Sequence, residues 1–163
     1  MLIETLRFGK VEVDDAQTFS FPVGILGFTS LKSYVVIETE EHDPFKWLQS
    51  IEDPEVAFLM GDPLLFYPSY RAEIRRQELK PIDPEVDEEC ALSAIITLPD
   101  HRPLAEASAN LRAPLIFNLA KRRGMQYVLN DRKFPVKYFL FKEPPPPIKS
   151  SDDSLDQRSL SLR

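Results

Sequence analysis

The sequence predicts an all-β fold, a barrel or a sandwich of short strands with minor helical turns. Apolar residues recur with a period near two in short runs, and each run ends near proline, glycine or aspartate. The 163 residues include 15 prolines but 5 glycines, and a proline inside a helix costs about 3 kcal/mol. The runs follow one another at hairpin spacing, which indicates about nine or ten strands.

The first runs predict a hairpin, a tight turn and a strand. Residues 2–13 are expected to form two short strands that meet at Gly9-Lys10. In the run FPVGILGF, Gly24 and Gly27 permit backbone angles that other residues avoid, so a tight turn flanked by aromatic residues is expected. The β-branched run 34–39 predicts a strand that ends in the acidic residues 38–43.

The centre of the chain, residues 45–70, predicts two core strands. It holds six of the aromatic residues, and turns at 53–54 and 62–63 interrupt its period-two pattern. The run VAFLM is apolar at every position, which is typical of a strand buried on both faces.

Residues 75–80 favour either a loop or one helical turn, and the alternation of ALSAIITL predicts a further strand. Three more runs follow before the composition changes at about Lys142. We therefore expect one β domain over residues 1–142. For residues 143–163, four prolines followed by a polar segment favour a disordered tail over a partner-binding peptide.

Charge and composition disfavour nucleic-acid binding and export. A formal net charge of -6 opposes the counterion-release attraction on which nucleic-acid binding depends. The single Cys90 forms no internal disulfide and suits a reducing compartment. Glu4 and Arg7 interrupt the apolar core that a signal peptide needs, and no run of 18 apolar residues occurs. We expect a cytoplasmic protein that contacts neither nucleic acid nor membrane.

No residue pattern predicts an enzyme. His42 and His101 lie in polar loops without the spacing of a catalytic triad, and both are expected to be solvated. Glu88 and Glu89 oppose nucleophilic activation of Cys90. The sequence contains no phosphate-binding, zinc-binding or nucleophile-elbow motif. We therefore expect no catalytic residue, no metal and no cofactor.

Four blocks of residues carry a family resemblance. The blocks are FPVGILGF, the run from FKWLQS through DPEVAF to the second DP, ANLRAPLIFN, and GMQYVL. Their order and spacing resemble the flagellar assembly factor FliW family from about Met1 to Phe141. The resemblance implies a compact barrel-like fold of short antiparallel strands. It also implies a regulator that binds flagellin and the translational repressor CsrA, antagonising the repressor by partner switching.

The acidic composition fits that implied role, because complementary charge speeds association with a basic RNA-binding partner. The apolar helical faces expected of flagellin call for an apolar surface, for which exposed central aromatics are candidates. Our candidate partner-binding residues are Phe28, Gln49, Phe66, Tyr67, Tyr70, Asn110 and Asn118. For each aromatic the alternative is core packing, and for each amide it is bracing of a turn.

Two other function classes remain open. The alternative to a partner-switching regulator is a small-molecule-binding, flavin-like β-barrel, which requires a deep pocket with convergent polar groups. A hydrolase would need an acid and a nucleophile within reach of His42 or His101.

Overall fold

The computed structural model describes residues 1–85, 90–100, 106–141 and the backbone of 160–162, and it confirms the all-β class. These residues hold the strands β1 (Leu2–Thr5), β2 (Gly9–Glu12), β3 (Thr18–Ser20), β4 (Ser33–Glu38), β5 (Lys46–Ser50), β6 (Ala57–Gly61), β7 (Ala72–Ile74), β8 (Cys90–Thr97), β9 (Ser108–Asn118), β10 (Arg123–Gln126), β11 (Tyr138–Phe139) and β12 (Leu160–Leu162). Short 3-10 helices span Asp15–Gln17, Glu40–His42, Pro63–Leu65 and Arg76–Ile82.

Seven of the strands close into a barrel. Their order is β10-β3-β4-β5-β6-β8-β9, and β9 pairs with β10 to complete the ring, while β11 pairs antiparallel with the beginning of β9. Neighbouring barrel strands are antiparallel, as predicted, except at one seam where β10 runs parallel to β3. There the Ser20 amide donates to the Arg122 carbonyl at 3.0 Å, which joins the beginning of the barrel to its end.

The barrel interior is filled by large side chains. Strands from opposite sides of the ring contribute to one apolar cluster, which consists of Phe19, Phe21, Ile25, Tyr34, Leu48, Met60, Leu115 and Phe117. A Cβ atom added at Gly124 would lie 2.4 Å from the Phe21 ring, so this glycine allows the wall to approach the aromatic core. Buried aromatic and aliphatic side chains therefore occupy the described lumen of the barrel.

A second apolar cluster lies on the outer face of the barrel. Segments 62–82 and 125–140 cover the wall there, and their buried residues include Tyr70, Ile74, Leu79 and Phe134. Burying apolar surface on both faces of the sheet explains the continuous apolar run of β6. In the described part of the chain, no helix is long and apolar enough to cross a membrane.

One local prediction is wrong: the first hairpin was expected to turn at Gly9-Lys10. The first hairpin turns at residues 6–8, because the Thr5 hydroxyl accepts from the Phe8 amide at 2.8 Å and donates to the Gly9 carbonyl at 2.9 Å. For residues 75–80, where a loop or one helical turn was expected, the structure has the helical alternative, a 3-10 helix over Arg76–Ile82. The domain boundary near Lys142 and most of the tail lie outside the described residues. Residues 160–162 form a strand parallel to β7.

Candidate partner-binding surfaces

Three half-buried aromatic side chains, Phe66, Tyr67 and Tyr138, form what we call the aromatic surface. The Phe66 and Tyr138 rings stack with centroids 6.3 Å apart, and Tyr67 meets Tyr138 edge to face at 5.3 Å. The Tyr138 hydroxyl donates to the Phe66 carbonyl at 3.3 Å. Tyr138 was not among the predicted site residues, because it lies in an apolar run far along the chain from Phe66.

A capped 3-10 turn positions the first half of this surface. The Asp62 carboxylate accepts from the Leu64 amide at 2.9 Å, and Pro63 occupies the first helical position, where a missing amide donor costs nothing. The Tyr67 amide then donates to the Pro63 carbonyl at 2.9 Å. These bonds fix Phe66 and Tyr67 directly after the turn.

Tyr70 supports the aromatic surface from below. Its side chain is 1% exposed, and its hydroxyl donates to the Leu111 carbonyl at 2.6 Å. Burial raises the pKa of Tyr70. The pKa of Tyr138 is also raised, mainly by burial and secondly by the charge of the nearby Tyr67. The Tyr70 ring also packs 4.6 Å from Phe134. In this arrangement Tyr70 packs beneath the surface residues and exposes almost none of its own side chain.

Phe28 lies on a separate apolar loop. Its ring meets Phe58 edge to face at 5.3 Å and remains 38% exposed, while Val23 and Leu26 are exposed still further. Gly24, at φ +70°, permits the tight turn, because a Cβ there would lie 2.6 Å from the backbone of Thr29. The predicted turn is thus present, and it presents its apolar side chains outward.

The three candidate amides all bond to the backbone. Gln49 is fully buried, and its Nε2 donates to the carbonyls of Ser50 at 3.0 Å and Val56 at 3.1 Å. Asn110 is half-buried, and its Oδ1 accepts from the amides of residues 112 and 113, at 3.1 and 3.0 Å, beside a register shift between β8 and β9.

Asn118, which is also fully buried, donates to the Ile82 carbonyl at 2.9 Å and accepts from the Lys121 amide at 3.3 Å. These amides brace turns, and neither Gln49 nor Asn118 reaches the surface.

Four exposed carboxylates at the end of β4 form what we call the acidic surface. They are Glu38, Glu40, Glu41 and Asp43. Lys46 pairs with Glu38 at 2.9 Å. Of the other three carboxylates, Glu40 and Asp43 line an open depression of about 280 Å³, and Glu41 is exposed to solvent. Two acidic residues elsewhere on the chain, Asp83 and Glu85, instead pair with Lys121 at 2.9 and 3.1 Å. The hydrogen bond from Lys121 lowers the pKa of Asp83 and raises that of Lys121.

The described residues contain no group of three or more His, Cys, Asp and Glu side chains that could hold a metal ion. His42 is half-buried, contrary to its predicted solvation, because its 3-10 turn folds it against Trp47, whose Nε1 lies 3.3 Å from the His42 Nδ1. His101 lies outside the described residues. Cys90 is half-buried in β8.

Comparison with known proteins identifies the family. The model of the FliW protein family matches residues 2–140. The chain belongs to the FliW family. Flagellar assembly factor FliW of Moorella thermoacetica is 39% identical over 145 residues, which cover 88% of this chain and 90% of that protein. The corresponding protein of Syntrophus aciditrophicus is 36% identical over 142 residues, covering 87% of this chain and 89% of that protein.

A solved structure supports the same assignment. The crystal structure of a flagellar assembly factor FliW superimposes with a TM-score of 0.79 at 29% identity, over 87% of this chain and 98% of the other. Both the aromatic and the acidic surface fall within the residues that the FliW family model matches, whereas β12 lies beyond them. Both relatives are flagellar assembly factors.

Proposed function

We propose that this chain is a cytoplasmic flagellar assembly factor that binds flagellin and the repressor CsrA in turn and catalyses no reaction. Export of flagellin would free the factor to bind CsrA, and flagellin translation would then resume. The FliW family match across residues 2–140 is the observation that carries this proposal. The packed barrel interior argues against the flavin-like alternative, because an internal ligand would have to displace buried aromatic rings.

The aromatic surface is our proposed contact for flagellin. Phe66 and Tyr67 are half-buried and held on a fixed turn, so their rings lose little conformational entropy when a partner covers them. An apolar helical face of flagellin would cover these rings and keep the Tyr138 hydroxyl in its existing hydrogen bond.

Titration calorimetry with purified flagellin tests this contact. Phe66→Ala should weaken binding at least about tenfold, as expected of an aromatic hot spot. Leu119→Ala, which truncates another exposed apolar residue, is the matched control and should bind normally. Equal affinity of both variants and the unaltered chain would exclude the aromatic surface as the flagellin contact.

The acidic surface is our proposed contact for CsrA. Complementary charge raises association rates, and the effect weakens as salt screens the charges beyond about 8 Å at physiological ionic strength. Glu40 and Glu41 are exposed, so substituting them should leave the barrel folded. Glu4→Lys with Glu55→Lys changes the charge equally at other exposed positions and is the control.

Stopped-flow association with CsrA should show a rate that falls as salt increases. Glu40→Lys with Glu41→Lys should slow association about tenfold at low salt, and the control pair should have a smaller effect. A rate that is independent of salt, or equal slowing by both pairs, would contradict electrostatic recognition at the acidic surface.

A further inference from the structure

Strand β7 has one buried face, and its backbone edge pairs with β12. Ala72 and Ile74 are 0% and 1% exposed, while Glu73 between them is exposed. Among the described residues, the ladder partner of β7 is β12, and no barrel strand pairs with it. An edge strand of this kind is a template for an additional strand.

The strand on this edge comes from outside the residues that the FliW family model matches. β12 runs parallel to β7, with Leu160 opposite Ala72 and Leu162 opposite Ile74. The FliW family model ends at residue 140. The part of the chain that the family model matches therefore carries a strand edge that a segment from beyond it occupies.

The covalent tether makes such a short pairing feasible. Residues 142–159 connect the barrel to β12 and, fully extended, span about 60 Å. Because β12 belongs to the same chain, its effective concentration at the edge reaches about the millimolar range. Three paired residues, too few to bind strongly as a free peptide, can then occupy the edge in most molecules.

The β7 edge adjoins the aromatic surface. Tyr70, which supports the surface, precedes Ala72 by two residues. Arg71 and Glu73 line a cavity of about 320 Å³ together with Phe134, whose ring packs against Tyr67 with centroids 5.9 Å apart. A segment on the edge and a large partner on the aromatic surface would therefore compete for the same space.

We propose that the β7 edge is a docking site for this chain's own C-terminal segment, and that the docked segment competes with flagellin for the aromatic surface. The competition rests on the proposed function, which supplies flagellin as the competitor, whereas the docking does not. Flagellin binds those molecules in which the edge is free. Its apparent affinity is therefore its intrinsic affinity multiplied by the fraction of such molecules. The tail thereby sets the flagellin concentration at which the factor responds.

Hydrogen–deuterium exchange of the full chain tests the docking without any partner. Leu160→Asp with Leu162→Asp should speed exchange of those β7 amides that bond to β12 about tenfold, because the pairing that protects them is lost. Ser150→Asp with Ser151→Asp adds the same charge to the tail outside β12 and should leave exchange unchanged. Unchanged exchange in the β12 variant, or equal acceleration in both, overturns the docking.

Flagellin titration of the same two variants tests the competition. If the edge is free in about a tenth of molecules, the β12 variant should bind flagellin about tenfold more tightly than the unaltered chain and the control. Faster exchange without tighter binding would overturn the competition. Absence of flagellin binding by every variant would refute the proposed function, while the exchange result would still decide the docking.

Discussion

Two buried tyrosines should respond in opposite ways to the same substitution by phenylalanine. Tyr34 and Tyr70 are 0% and 1% exposed. The Tyr70 hydroxyl donates to the Leu111 carbonyl at 2.6 Å. The buried Tyr34 hydroxyl has no hydrogen-bond partner among the described residues. Because each substitution removes one oxygen and leaves the ring, the difference between the two isolates the hydrogen bond.

The expected magnitudes follow from what each substitution leaves behind. Tyr70→Phe leaves the Leu111 carbonyl without its donor, which costs about 1 to 3 kcal/mol. Tyr34→Phe removes an unpaired polar group from an apolar cluster and should change the free energy of unfolding by between zero and about 1 kcal/mol of stabilisation. For a domain of this size, 1 kcal/mol corresponds to a Tm shift of about 3 to 5 °C.

Thermal and urea unfolding followed by circular dichroism measures both effects. Tyr70→Phe should lower Tm by about 3 to 15 °C, whereas Tyr34→Phe should leave it unchanged or raise it slightly. Equal losses from the two variants would show that ring packing, not the hydroxyl partner, decides their stability. A larger loss at Tyr34 would refute the assignment of its hydroxyl as unpaired.

Three further predictions concern the barrel. Gly24→Ala should lower the free energy of unfolding by about 2 to 3 kcal/mol, because alanine would be strained at φ +70° and would collide with the Thr29 backbone; urea unfolding measures it, and an unchanged midpoint would contradict it. Asn118→Ala should cost about 2 kcal/mol by unpairing the buried Ile82 carbonyl, again by urea unfolding, and a loss below about 0.5 kcal/mol would count against the bracing role. Burial, aided by the Glu52 charge, raises the pKa of Tyr34 from 10.0 to about 12, so its contribution to stability is complete below pH 10 and is lost as pH rises through 12. The midpoint of unfolding should fall over that window, and less so in Tyr34→Phe; equal pH dependence in the variant would exclude Tyr34 as a source.

The strand pattern was largely predictable because local residues determine it. The period-two run before Ser50 and the apolar run 56–60 gave β5 and β6, whose register pairs Trp47 with Leu59. Gly24, Pro54 and Pro63 marked turns that the structure contains, whereas the first hairpin turns at residues 6–8, which include neither proline nor glycine. The parallel seam was not predictable, because it depends on how the ring closes, as the single pairing of Arg123 with Ser20 shows.

The candidate surfaces were only partly predictable, because burial is decided by residues far along the chain. Phe66 and Tyr67 were singled out from their aromatic run, but Tyr138 was not, since its contact with Phe66 crosses 72 residues. Gln49 and Asn118 resemble recognition residues in sequence. Their burial becomes apparent only when the carbonyls of Val56 and Ile82 are placed beside them.

The central claim is that this chain relieves repression of flagellin synthesis by exchanging partners. Cell-free translation of a flagellin message, repressed by added CsrA, tests it most directly. Adding the purified chain should restore translation, and excess flagellin added with it should abolish the rescue. Continued repression at a several-fold excess of the chain over CsrA, or rescue that flagellin does not reverse, would contradict the account.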